Sequence, residues 1–257
     1  MPTNWGSRSF GGGSDHITIA SGYDIVVNAG QPNSVSFWMN LAGAGSGTRI
    51  IMEASGTGGF QLYVNSGGHL ILDKQGVEND ITQTATLATN VWTHIGISHA
   101  TLGGSGNYIL YINGVNTQSG AGAGGLFTTG LTYLFGDPNV SAFNGFLADF
   151  ASWTNVRLTA TEFSALANGA RPNTIRPAAF TGWWPLDGLQ SPEPDLSGNK
   201  NNGTLTGTLP AFGPPYMPFT SRWPQFIPTV VSPVVFRKSL SQLGGRVGSR
   251  QIQGWAQ

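Results

Sequence analysis

Twelve acidic side chains could supply acid–base chemistry, and their spacing decides whether they can. Cutting a glycosidic bond takes two carboxyl groups ~5–9 Å apart, one giving a proton and the other activating water or attacking. The glutamates are Glu53, Glu78, Glu162 and Glu193, too scattered to pair on one strand. Glu162 has another task, because Thr159-Ala160-Thr161-Glu162 is a capping box that serves the free N–H groups of a helix start. Asp137 and Asp149 remain as lone aspartates. His94 and His99 differ by five positions, so on one strand they face opposite sides and cannot share a ligand. Neither a G-x-S-x-G elbow nor an H-E-x-x-H pair occurs. With no cysteine, thiol catalysis, Cys-bound zinc and a disulfide framework are excluded. The Gly120–Gly125 run lacks a following Lys-Ser/Thr and is no phosphate cradle. The chain is therefore expected not to be an enzyme. Two loops are rich in oxygen: Asp195 with Asn199, Asn201 and Asn202, and Asp137-Pro138-Asn139. Such side chains suit a hard cation, and serve equally to bond their own backbone in turns.

The elements that would position these residues repeat with period two. In Ser34–Leu41, Val35, Phe37, Met39 and Leu41 point one way, while Ser34, Ser36, Trp38 and Asn40 point the other. Phe60–Asn65 turns Phe60, Leu62 and Val64 inward, and Tyr108–Asn113 sets Tyr108, Leu110 and Ile112 against Ile109, Tyr111 and Asn113. Further strands are expected near Asp15–Ala20, Arg49–Glu53, His69–Asp73, Val91–Ala100, Leu131–Phe135 and Phe143–Trp153, with glycine-rich turns between them. Only 9% of residues are charged and 38 are glycine, which fits many short strands and argues against helices. The fold class expected is all-β, a two-sheet antiparallel sandwich. One short helix follows the capping box, carries Phe163, Leu166 and Ala167 on its apolar stripe, and stops at Asn168-Gly169 before Pro172. It reads as a clasp on the sandwich.

A boundary falls near residue 212. From 213 to 257 the charged residues are Arg222, Arg237, Lys238, Arg246 and Arg250, with no acid, against seven basic and twelve acidic residues before it. Seven of the 15 prolines crowd between Pro210 and Pro233, which forbids a helix and favours an extended path. Phe219, Trp223, Phe226, Phe236 and Trp255 make this segment too aromatic for a solvated tail. Residues 1–212 are thus expected to be the globular body and 213–257 a basic arm. The arm would grip protein, with Arg222, Trp223, Phe226, Phe236, Arg237, Lys238, Arg246, Arg250 and Trp255 making the contacts. Five charges over 45 residues are sparse for tracking phosphates, so nucleic acid is not the expected partner. No apolar run approaches the ~20 residues of a membrane helix, and Met1–Phe10 does not read as a secretory signal.

The body resembles the laminin-G-like, concanavalin-A-like jelly rolls. The resemblance rests on RSFGGGSDHITIA at Arg8–Ala20, SVSFWMNL at Ser34–Leu41, WTHIGISH at Trp92–His99, YILYINGV at Tyr108–Val115 and FNGFLADFASWTNVRLTATEF at Phe143–Phe163, taken in order. Residues 182–207 (GWWPLDGLQSPEPDLSGNKNNGTLTG) look like the family's opening segment, here placed after the helix. Too short for a second core, this stretch is expected to return as a permuted edge strand. The β-glucan-cutting enzymes of the wider fold carry E-x-D-x-x-E on one strand, which is absent here. What the resemblance implies is sugar binding, with Trp38, Tyr63, Tyr111 and Trp153 as a candidate stacking platform, and calcium as the one cofactor to look for, at Asp137, Asp195 and Asn199. Similar domains occur in bacteriophage structural proteins. The leading expectation is accordingly a virion component, a head decoration or a tail or fibre part assembled in host cytoplasm. It would contact copies of itself and a capsid or tail protein through the arm. The alternative is a lectin-like adhesion module for surface glycans.

Overall fold

A computed structural model describes residues 6–19, 32–43, 47–55, 60–74, 79–99, 108–120, 132–136 and 143–214. The chain divides into two units, Met1–Pro218 and Phe219–Gln257, of which only the first contains described residues. The nine arm residues named above, and Asp137, lie outside them.

The strands in chain order are β1 (Gly6–Gly11), β2 (His16–Ile19), β3 (Asn33–Leu41), β4 (Arg49–Ser55), β5 (Phe60–Val64), β6 (Leu70–Lys74), β7 (Asn79–Thr82) and β8 (Trp92–His99). They continue with β9 (Tyr108–Ile112), β10 (Val115–Gly120), β11 (Thr132–Gly136), β12 (Asn144–Thr154), β13 (Phe180–Trp184), β14 (Gly203–Thr206) and β15 (Leu209–Phe212). The first sheet runs β10-β9-β8-β3-β12-β1-β15, with β13 also paired to β12. The second runs β14-β2-β11-β4-β5-β6-β7. The alternating stripes meet between them: Phe37, Ile95, Leu110 and Phe150 of the first sheet share one core with Ile17, Leu62, Leu72 and Phe135 of the second. Pairing is antiparallel throughout the named strands, and the architecture is a jelly-roll sandwich.

Helix α1 (Ala160–Ala167) starts at the capping box: Glu162 N–H donates to Thr159 Oγ1 at 3.3 Å, and Thr159 N–H donates to Glu162 Oε2 at 2.8 Å. It lies on the outer face of the first sheet, where Phe163 stacks on Tyr111 with ring centroids 4.4 Å apart. The sheet makes room with Gly96, since a Cβ there would overlap the Phe163 ring.

Residues 180–212 return to both sheets. β13 adds to β12, β14 forms the edge beside β2, and β15 forms the edge beside β1. A buried ion pair ties this segment to the first strand: Arg8 Nε donates to Glu193 Oε2 at 3.0 Å, and Leu186 N–H donates to Glu193 Oε1 at 2.6 Å. Arg8 also donates to the carbonyl of Gln190. Burial pushes the Glu193 carboxyl up to about 6, and the Arg8 charge offsets only part of that cost.

Candidate functional site

The four aromatic residues read as a platform do not form one. Trp153 is fully buried and Tyr111 is 4% exposed, both beneath α1 with Leu158, Phe163, Leu166 and Trp183. Alternation gave their direction correctly, but the helix covers that part of the sheet. Trp153 Nε1–H donates to the Ile175 carbonyl at 2.7 Å, as a buried indole must to avoid an unpaired donor. Trp38 lies outside the helix cluster yet is only 9% exposed, packed beside Ala148 and edge-on to His94 at 5.2 Å. Tyr63 is half-buried and stands on the other sheet.

On the second sheet Tyr63 has neighbours that sequence reasoning missed. Leu62 and Val64 enter the core, so Gln61 and Tyr63 face outward, and the register places Glu53 and Asp73 on either side of Gln61. Gln61 Nε2–H donates to Glu53 Oε2 at 3.0 Å. Burial pushes Asp73 above the usual carboxylate range, and burial with the charge of Asp73 raises the Tyr63 phenol. The result is a row of two carboxyls and an amide, with an aromatic ring beside it, in which Glu53 is 8% exposed. Composition gave no sign of this row, because three residues distant in sequence meet only once the register is known.

The first sheet carries a second constellation. Phe146, Asn40 and Trp92 stand side by side on β12, β3 and β8, all half-buried. In the next row of the same face Ala148, Trp38 and His94 align. Ser36 Oγ and His94 Nε2 are hydrogen-bonded at 2.8 Å. Burial drives the imidazole down to about 3, so it stays neutral. A serine–histidine pair acts as nucleophile and base only when the imidazole can accept a proton and a substrate can approach. Here both side chains are closed off, His94 being 1% exposed, and the pair is structural.

The oxygen-rich loop is also closed by the protein's own donors. Asp195 Oδ1 accepts from Trp183 N–H and Ser197 N–H, and Oδ2 accepts from Asn201 N–H and Nδ2–H. Asn199 Nδ2–H donates to the Thr181 carbonyl. With these bonds the Asp195 carboxylate shapes the 195–202 turn against β13. Among the described residues no cluster of three or more His, Asp or Glu could hold a metal ion. Nor is any helix among them long and apolar enough to cross a membrane.

Comparison with known proteins agrees with this architecture. Residues 11–162 match the profile of the concanavalin A-like lectin/glucanases superfamily, and the chain belongs to that superfamily. Among solved structures, it is similar to a Bacteroides ovatus protein inferred to bind carbohydrate, with TM-score 0.61 and 18% identity. That match covers 84% of this chain and 62% of the other, so the chain spans under two thirds of that protein. It is also similar to the heptameric SAP-like pentraxin of Limulus polyphemus, with TM-score 0.56 and 18% identity over 83% of this chain and 97% of the pentraxin. At such identities the likeness shows the fold alone. No curated protein sequence matches the chain.

Proposed function

We propose that this chain is a lectin-like carbohydrate-binding module without catalytic activity. The observation that carries the reading is the outward row Glu53–Gln61–Asp73 beside the half-buried ring of Tyr63. Carboxyl and amide oxygens accept from sugar hydroxyls while a tyrosine face receives the apolar side of the ring. Membership of a lectin and glucanase superfamily, and likeness to a protein inferred to bind carbohydrate, support it. Hydrolysis is disfavoured by the same row. Gln61 stands between Glu53 and Asp73, and its amide donates to Glu53 Oε2 in the gap a hydrolytic water would need. The test is a glycan array followed by calorimetry on the best hit, with an assay for released reducing ends. Tyr63→Ala and Gln61→Ala should each weaken binding about tenfold with no sugar released. Binding that ignores both substitutions, or hydrolysis that vanishes in Glu53→Gln, overturns the reading.

A second reading draws on the sequence of 213–257, basic and aromatic without acids. It makes the chain a structural protein of a repetitive assembly, such as a phage head decoration or tail part, with the arm gripping a neighbouring copy or a capsid or tail protein. Many modest arm contacts would then act together as avidity. Removing 213–257 should abolish assembly, seen as a fall in mass by light scattering, while the body stays folded. An unchanged mass excludes this role.

A further inference from the structure

The large apolar side chains left bare on the body are not spread evenly. Among the described residues six are exposed, and four of them, Leu189, Leu196, Leu209 and Phe212, belong to the returning segment. Three of these gather at β15. A Cβ added to Gly188 would stand 2.7 Å from the Cα of Pro210, so the loop that carries Leu189 lies against that strand. Phe212 shares the Pro210 face, two positions on, and Leu209 flanks it from the other face. Leu189 is 80% exposed, Leu209 65% and Phe212 81%. A single exposed leucine needs no explanation, but three such residues around one short edge strand form an apolar rim that marks a contact surface.

The chemistry of the rim narrows what covers it. β15 is the outer edge of the first sheet, and an edge strand ordinarily invites another strand through its free N–H and C=O groups. Pro210 lies within β15, and a proline in a sheet sits on an edge with its bare nitrogen towards solvent. The edge is therefore poor in donors for a regular ladder, and what it offers is apolar side chain. Neither β15 nor the loop 188–192 contains a charged residue, so the rim has nothing to pair with a charged partner. An uncharged, proline-rich segment fits it, because such a segment keeps an extended path without ladder bonds. The chain contains one. Trp223–Phe236 (WPQFIPTVVSPVVF) has three prolines and no charge.

The described residues end at Pro214, two positions past Phe212, with 215–257 still to come. Gly213 and Pro214 each precede a proline, which holds both to extended backbone, so the chain does not double back at once on the rim it has just left. In the single chain Leu189 and Phe212 stay bare, which points to a second copy as the source of the cover. Two copies related by a two-fold axis beside β15 would each release an arm next to the other's rim, and both contacts would form together.

We propose that Leu189, Leu209, Pro210 and Phe212 form the acceptor for the uncharged stretch Trp223–Phe236 of a second copy, in a reciprocal exchange of arms. This rests on the assembly reading above and gives it a surface; the glycan reading does not depend on it.

The chain has no cysteine, so a pair introduced into the full chain reports a single contact. Copies carrying Gln190→Cys, exposed beside Leu189, are mixed with copies carrying Thr229→Cys and gently oxidised. A disulfide-linked dimer joining the two kinds of copy is expected, identified by peptide mass. None is expected when Gln190→Cys is replaced by Val115→Cys, exposed on β10 at the far edge of the sheet. Without cysteines, light scattering should find the parent as a dimer or larger. Leu189→Ser combined with Phe212→Ser should raise its dissociation constant about tenfold, with an unchanged thermal melt showing that the fold is kept. Three results overturn the proposal and leave the assembly reading standing: linkage only within a chain that carries both cysteines, equal linkage at Val115→Cys, or an oligomer indifferent to the paired serines. A parent that is monomeric at every concentration overturns both this acceptor and the arm's grip on a neighbouring copy.

Discussion

The outer face of the first sheet has two halves that begin from the same strands and end differently. Under α1, Tyr111, Trp153 and Trp183 are buried together, and both indole N–H groups find protein acceptors: Ile175 O for Trp153 and Asp149 Oδ1 for Trp183. Outside it, Trp92 and Phe146 keep part of their surface in water, and Asn40 keeps an unpaired oxygen. The difference lies in a distant segment: residues 155–180 supply the helix and turn that cover one half. An outward-facing aromatic is therefore core or contact surface according to what later chain returns over it.

Substitutions can sharpen or break that contrast. The largest effect is expected for Trp153→Ala, which empties the covered half and strands the Ile175 carbonyl; it should cost about 4 kcal/mol in a urea melt. A loss under about 1 kcal/mol would mean that the helix is a loose cover. Next comes the buried pair that anchors the returning segment beside this sheet. Glu193 has its carboxyl raised to about 6 from an ordinary 4.5, so the fold favours the protonated form. Its contribution is complete below the unfolded value and is lost as pH rises through 6, about 2 kcal/mol in all. Arg8 and Asp187 are the charges that act on it. Thermal melts from pH 4 to 7 should show this slope in the parent and not in Glu193→Gln; equal slopes refute the assignment. Gly96→Ala, pushing a methyl into the Phe163 ring, should cost about 2 kcal/mol and raise hydrogen exchange along α1. Removing the cap with Thr159→Ala should cost about 1 kcal/mol, read from the same melts. Smallest is Trp92→Ala in the open half, expected within about 0.5 kcal/mol of the parent. A large loss there would make Trp92 a core residue and end the contrast.

Much of this arrangement is legible in the residues themselves. The stripe Val35-Phe37-Met39-Leu41 gives the inner face of β3, and Tyr108-Leu110-Ile112 gives that of β9, because side chains alternate whatever the tertiary setting. Thr159 and Glu162 start α1 where the capping box says, since a cap is a local matter. Asn40 shares its outward face with Trp38 by the same alternation, yet its place between Phe146 and Trp92 needs the register of three strands, which no local pattern encodes. Trp153 and Tyr111 fail as platform residues for the complementary reason: their direction is local, but their cover is not. Asp195 shows a third limit. An aspartate among asparagines looks the same whether its oxygens await a cation or receive four N–H donors from Trp183, Ser197 and Asn201.

The bond from Arg8 to Glu193 spans 185 positions, and β15 closes on β1 from still further along the chain. A ribosome must therefore release nearly the whole body before its opening strand gains its outer neighbour. Until then the nascent chain exposes a bare sheet edge and an unmatched guanidinium, and closing so long a loop is slow. Maturation of this sandwich is a late event, completed after synthesis of the body, and its exposure to chaperones and to stray strand pairing is set by that wait.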